Sequence, residues 1–148
     1  MDVTVYEALG GRARVVELAS AWHERCLADE IMNHPFSHGG DPHHIDRLAA
    51  YWSEQLGGPP LYTSGFADES FVVRMHSGNG VHEEMDQRAV ACFVQALDDI
   101  GVTEATLRDE LIRWFTHETA EMSRYPHSPA DVPDDLPLPV WPGRVASL

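Results

Sequence analysis

Residues 68–85 read DESFVVRMHSGNGVHEEM. An apolar run, Phe71-Val72-Val73, leads through Arg74 and Met75 to His76. Gly78 and Gly80 then break the chain before an acidic helix start. A histidine delivered at the end of an apolar segment, just before a helix breaker, asks what the ring is aimed at.

Outward from this stretch the sequence is helical. Upstream, Arg12 to Ala28 repeats Val15, Leu18, Ala19, Trp22 and Cys26 every three or four residues, the period of a one-faced helix. Asp41-Pro42 reads as an N-cap with proline at the first helical position. The helix it opens runs to about Leu56 with Ile45, Leu48, Trp52 and Leu56 as its stripe and Tyr51 beside it. Gly57-Gly58-Pro59-Pro60 stops it. Val5 to Leu9 is a short helical piece closed by Gly10-Gly11. Downstream, about Val81 to Ile100 presents Met85, Ala89, Phe93, Ala96, Leu97 and Ile100 on one face. After Gly101 a last long helix carries Leu107, Leu111, Trp114, Phe115 and Met122. Residues 61 to 80 read as a long loop with one short element near Ser70 to His76. From Tyr125 onward prolines forbid a regular helix or a central strand, and Val140 and Trp141 favour packing over disorder. No strand pattern and no repeat emerges. The expectation is an all-α domain over residues 1–124 and a proline-rich tail over 125–148.

A chain of 148 residues, 43 % hydrophobic, suffices for one domain with its own core. Its formal net charge of −14 argues against general nucleic-acid binding and against docking on anionic lipid. No apolar run reaches bilayer length, and Met1-Asp2-Val3-Thr4 lacks the basic-then-apolar pattern of a signal peptide. No membrane partner and a cytoplasmic location are therefore expected. Cys26 and Cys92 form no CxxC pair and read as small buried apolar residues.

Nine histidines are the unusual feature of the composition. For His76 three readings stand side by side. It caps terminal helix carbonyls. It joins His82 with His43, His44 or His117 around zinc or non-haem iron, although the spacings match no HExxH or paired CxxC signature. Or it is an axial ligand to haem iron, which requires a neutral imidazole, an element to aim it and a dry wall around the ring.

Four further pieces bear on the choice. YEALGG stands at 6–11, HPF at 34–36, HHIDRLAAYWSEQLGGPPLYT at 43–63 and RMH at 74–76. Their order resembles the truncated haemoglobins, specifically group II, from about Tyr6 to Met122. The resemblance implies a globin-like, truncated two-over-two helical sandwich around haem b (iron protoporphyrin IX). In it His76 is the proximal iron ligand and Phe36 packs on the porphyrin. Leu48, Tyr51 and Trp52 line the distal helix and the pocket, and Val73 and Met75 touch the proximal face. Arg47 and Arg74 are the expected propionate partners, and Tyr62, Ala89 and Phe93 complete the haem contacts. The implied function is binding of dioxygen, carbon monoxide or nitric oxide, with redox, peroxidase-like or nitric oxide dioxygenase chemistry. An unidentified reductase and a homodimer are the implied partners.

The departures from that pattern are informative. His23 stands where the family usually has a ligand-binding tyrosine, and His44 where a small residue is common. Ala89 aligns with the family's tryptophan, which leaves room. SGNG replaces the apolar-proline stretch after the proximal histidine. Two imidazoles thus replace the usual donors, and an imidazole either donates to a bound ligand or binds the iron itself. His44 is the expected distal ligand if the iron is six-coordinate, and His23 and His44 are the expected proton-handling residues. Two rivals remain: a helical-bundle metal enzyme built on the histidines, and a haem-free regulatory module on the same fold.

Overall fold

Thr4 begins the helical part of the chain by accepting the Glu7 N–H at 3.1 Å through its hydroxyl, an N-cap. The computed structural model describes residues 1–33 and 43–147. The expected haem contact Phe36, the loop histidines His34 and His38, and the Asp41-Pro42 start lie outside those residues. Within them the elements are β1 (Asp2–Thr4), α1 (Val5–Leu9), α2 (Arg12–Ala28), α3 (His44–Gln55), α4 (Leu61–Gly65), α5 (Glu69–Met75), α6 (Glu83–Asp99), α7 (Ala105–Met122) and β2 (Arg144–Ala146).

α2 packs on both α3 and α6, and α6 packs on α7. Two helix pairs are thereby stacked, the expected two-over-two arrangement. Every stripe residue read from α2 (Val15, Leu18, Ala19, Trp22 and Cys26) is buried. Where the four long helices meet, aromatic rings fill the core. Phe93 lies parallel to Phe115 with centroids 4.2 Å apart. Trp52 stands edge-on to Trp22, Phe93, Trp114 and Phe115 at 5.6 to 5.9 Å, an arrangement that ring quadrupoles favour.

The glycines after α3 are explained by α1. The Tyr6 N–H reaches the Leu56 carbonyl at 3.0 Å. A Cβ on Gly58 would stand 2.8 Å from both the Ser53 carbonyl oxygen and the Tyr6 ring. Gly57, at φ 97°, takes the left-handed conformation that a side chain resists. Gly58→Ala is therefore expected to destabilise the fold by about 1–3 kcal/mol, the usual range for overpacking. A shift of less than about 0.5 kcal/mol in urea unfolding would refute this account of the close approach.

Residues 61–80 are not one long loop. α4 arises there because the Glu54 carboxylate accepts the Tyr62 and Thr63 N–H groups, at 3.1 and 2.9 Å, and the Thr63 hydroxyl at 2.7 Å. The cap comes from the preceding helix, so no local N-cap signal announces it. α5 starts conventionally, with the Asp68 carboxylate accepting the Phe71 N–H at 2.9 Å.

A strand pair, absent from the sequence reading, joins the two ends: β1 pairs antiparallel with β2, Val3 opposite Val145. Three residues on each side carry too little alternation to be seen. The tail packs, as Trp141 suggested. The Trp141 N–H donates to the Gln55 carbonyl at 2.7 Å and its indole N–H to Glu110 at 2.9 Å. Ser70 holds residues further back, its hydroxyl donating to the Pro133 carbonyl at 2.8 Å and accepting the Leu136 N–H at 3.0 Å.

Candidate functional site

His76 is the C-cap of α5. Its Nδ1 lies 2.7 Å from the Val72 carbonyl oxygen. A carbonyl only accepts, so the proton of the neutral ring is on Nδ1 and the Nε2 lone pair points elsewhere. His76 is an exposed residue, although protein atoms are dense around its ring. The crowding governs its charge: burial holds the imidazolium below its ordinary range, opposed by the Val72 carbonyl and reinforced by nearby His82. A neutral, oriented imidazole is the form that binds a metal.

The turn after His76 is pinned from below. The Ser77 hydroxyl donates to the Val73 carbonyl at 2.6 Å. The Gly78 and Gly80 N–H groups donate to the carbonyls of Tyr125 and Pro126, at 3.0 and 2.8 Å. The unusual SGNG thus supplies backbone donors to the start of the tail, which prolines could not do.

On the α2–α3 side, His23 and His44 are both half-buried, with ring centroids 5.1 Å apart and planes tilted by 54°. His43, by contrast, is exposed beside Asp46. Arg47, one turn along α3, lies over the Phe66 ring at 5.4 Å. Phe66 in turn stacks with Tyr62 at 5.8 Å.

The other expected contacts divide. Leu48 is half-buried against the core, Val73 is fully buried and Met75 is exposed. Tyr51, Trp52 and Phe93 belong to the core itself. The Tyr51 hydroxyl donates to Glu69 at 2.6 Å. Ala89 is buried, and the Trp22 indole crosses to donate to its carbonyl at 3.1 Å. Arg74 pairs with Asp134 of the tail and reaches the Val132 carbonyl at 3.3 Å, so its partners are in the tail. His117 is exposed, its ring 5.9 Å from that of Trp141.

Two features lie beyond the haem contacts that the resemblance implies. His82 bonds Asp86 at 3.0 Å, and Asp86 also accepts from Ser123 at 3.1 Å. Both His82 and Asp86 are close enough to act on the charge of His76. The i, i+4 spacing of His82 and Asp86 was the available signal. Phe66 and Phe71 are large apolar side chains left exposed. Among the described residues, no three His, Cys, Asp or Glu side chains converge to hold a metal ion, and no helix is long and apolar enough to cross a membrane.

Comparison with known proteins places this geometry. A family model described as bacterial-like globin matches residues 4–123. A group 1 truncated hemoglobin of Tetrahymena pyriformis is 24 % identical over 119 residues, covering 80 % of this chain and 93 % of that one. The group II truncated hemoglobin of Bacillus anthracis superposes with a TM-score of 0.73 at 20 % identity, over 86 % of this chain and 96 % of that one. The truncated oxygen-avid haemoglobin of Bacillus subtilis superposes at 0.69 with 20 % identity, over 82 % and 100 %.

Proposed function

The chain belongs to the bacterial-like globin family, and from that premise we propose that it is a cytoplasmic haem protein that binds diatomic gases, with His76 as the protein's axial ligand. The observation that carries the proposal is the donor chemistry at His76. Its Nδ1–H is tied to the Val72 carbonyl at 2.7 Å and its ring is held neutral, so Nε2 is presented as a fixed ligand. The residues present fit haem b in a second respect. Phe71 and Met75, on the same short helix, and Phe66 are exposed apolar side chains, and covering them with a porphyrin removes that area from water. When bound, the haem supplies reversible gas binding and electron transfer.

The chain's own residues tune that chemistry. His23 and His44 bring two imidazoles together, able to donate to a bound ligand and to hold or pass a proton. That pair supports redox or peroxidase-like chemistry, drawing electrons from a reductase, over simple storage. His44, aimed inward at His23, is the side chain we assign to the second axial position at rest. Arg47 remains the propionate partner in this reading, and Arg74 does not, because the tail holds it.

The test is an absorption spectrum of the protein with haemin, ferric and then dithionite-reduced, with and without carbon monoxide. A Soret band that shifts with carbon monoxide is expected. Its absence favours the haem-free module, and activity lost to a chelator without a Soret band favours the metal enzyme. His44→Leu is expected to replace sharp low-spin ferrous bands with a broad five-coordinate one. Identical spectra for variant and parent would remove His44 from the iron.

A further inference from the structure

A chain of four buried side chains crosses the molecule apart from His23, His44 and His76. The Tyr51 hydroxyl donates to Glu69 at 2.6 Å. The Gln55 amide donates to the Tyr51 oxygen at 3.1 Å and to Glu118 at 2.9 Å. Glu69 is 2 % exposed, Gln55 1 % and Glu118 9 %. The chain joins α3, through Tyr51 and Gln55, to the first residue of α5 and to the last turns of α7.

Two buried carboxylates without a buried cation are costly. The arginine that acts on both carboxyls, Arg124, is partly exposed and engaged with Glu121, at 3.2 Å to the carboxylate and 2.9 Å to the carbonyl. Of the remaining groups that act on the pair, His117 alone favours the charged form. Asp68 adds negative charge at Glu69, Glu121 adds it at Glu118, and Tyr62 contributes only a hydroxyl beside Tyr51. His117 opposes them at Glu118 from an exposed position. A second, separate observation concerns Gln55. Its Oε1 is buried and has no hydrogen-bond partner. A half-turn of the amide brings Oε1 to face Glu118, where it accepts from a protonated carboxyl, in exchange for the two bonds that the amide now donates.

We propose that Glu69 and Glu118, bridged by Tyr51 and Gln55, hold one proton between them near neutral pH, residing on one carboxyl or the other, and that this proton locks the base of the His76 helix onto α3 and α7. Burial agrees in direction at both ends: it raises Glu118 and pushes Glu69 up to about 7. Glu69 is then a positioning residue, seven positions before the histidine and at the opposite end of α5. Its effect on haem rests on the function proposed above, whereas the proton itself does not.

Linkage sets the sign of the effect. An acid raised in the folded state contributes stability below its ordinary value, near 4.5, and loses it as pH rises to about 7. The experiment compares the full chain with Glu69→Gln and Glu118→Gln, both of which keep the shape and remove the titration. Without haem, infrared spectra should show a protonated carboxyl band at about pH 5.5 that is weakened in either variant. The melting temperature of the parent relative to Glu69→Gln should fall by roughly 5 °C between about pH 5 and pH 8. With haem, transfer of haemin to excess apomyoglobin should quicken about tenfold from pH 6 to pH 8 in the parent and stay flat in Glu69→Gln. If the infrared band is missing, or both variants keep the parent's pH profile, the shared proton is refuted. If the band and profile are present but no Soret band forms, the proton stands and the haem reading fails.

Discussion

His76→Ala is expected to lower haemin affinity by at least about 100-fold and to abolish the parent's Soret band at stoichiometric haemin. Changes one shell further out from a metal typically cost 10–100-fold, and here the ligand itself is removed. Nothing among the described residues is arranged to replace it on α5, whose neighbouring positions are Arg74, Met75 and Ser77. The effect should also be partly reversible. Free imidazole added to His76→Ala should restore a Soret band, because the Val72 carbonyl and the Ser77 hydroxyl that shape the site belong to other residues. A variant that binds haemin with unchanged affinity and spectrum sinks the assignment. His82→Ala provides the contrast. It removes a neighbour that lowers the His76 imidazolium and leaves the ligand in place.

Phe93→Ala should be the most damaging single change to the fold. Phe93 is fully buried and lies against Phe115, Trp52 and Trp114. Truncating a buried phenylalanine costs about 3–5 kcal/mol. Total stabilities of about 5–15 kcal/mol leave little margin for such a loss. Urea unfolding should show the unfolding free energy lowered by that amount through a lower midpoint, with the slope of the transition unchanged. A loss below about 1 kcal/mol would mean that the ring is not the centre of the core. Because Phe93 touches none of the histidines in the described contacts, a variant that still folds should keep the position of its Soret band.

How much of this was legible from residues alone depends on how local each cause is. α2 was readable because its stripe is a property of seventeen consecutive residues. α5 was readable because Asp68, its cap, is its own neighbour. α4 was not, because the carboxylate that caps it is on Glu54. The strand pair was not, because its halves are separated by nearly the whole chain. At the site, His76 stood out through its setting, and His23 and His44 through their places in the resembled pattern. Tyr51 and Phe93 were expected as haem contacts through the same pattern, and the structure places both in the aromatic core. Glu69 and Glu118 gave no sign at all. One reads as an ordinary acidic residue in a first helical turn and the other as part of a solvated face, and only the packing of α3, α5 and α7 buries them.

The pairing of β1 with β2 has a consequence for how the molecule is made. A ribosome releases Asp2–Thr4 long before Arg144–Ala146, so the first strand waits for everything between them before its partner exists. Closing so long a loop comes late in any folding sequence. Without Arg144–Ala146, β1 has an unsatisfied edge, and α1, which contacts both strands as well as α2 and α7, loses one of its supports. The pairing therefore makes the packing of an early helix depend on a segment synthesised long after it.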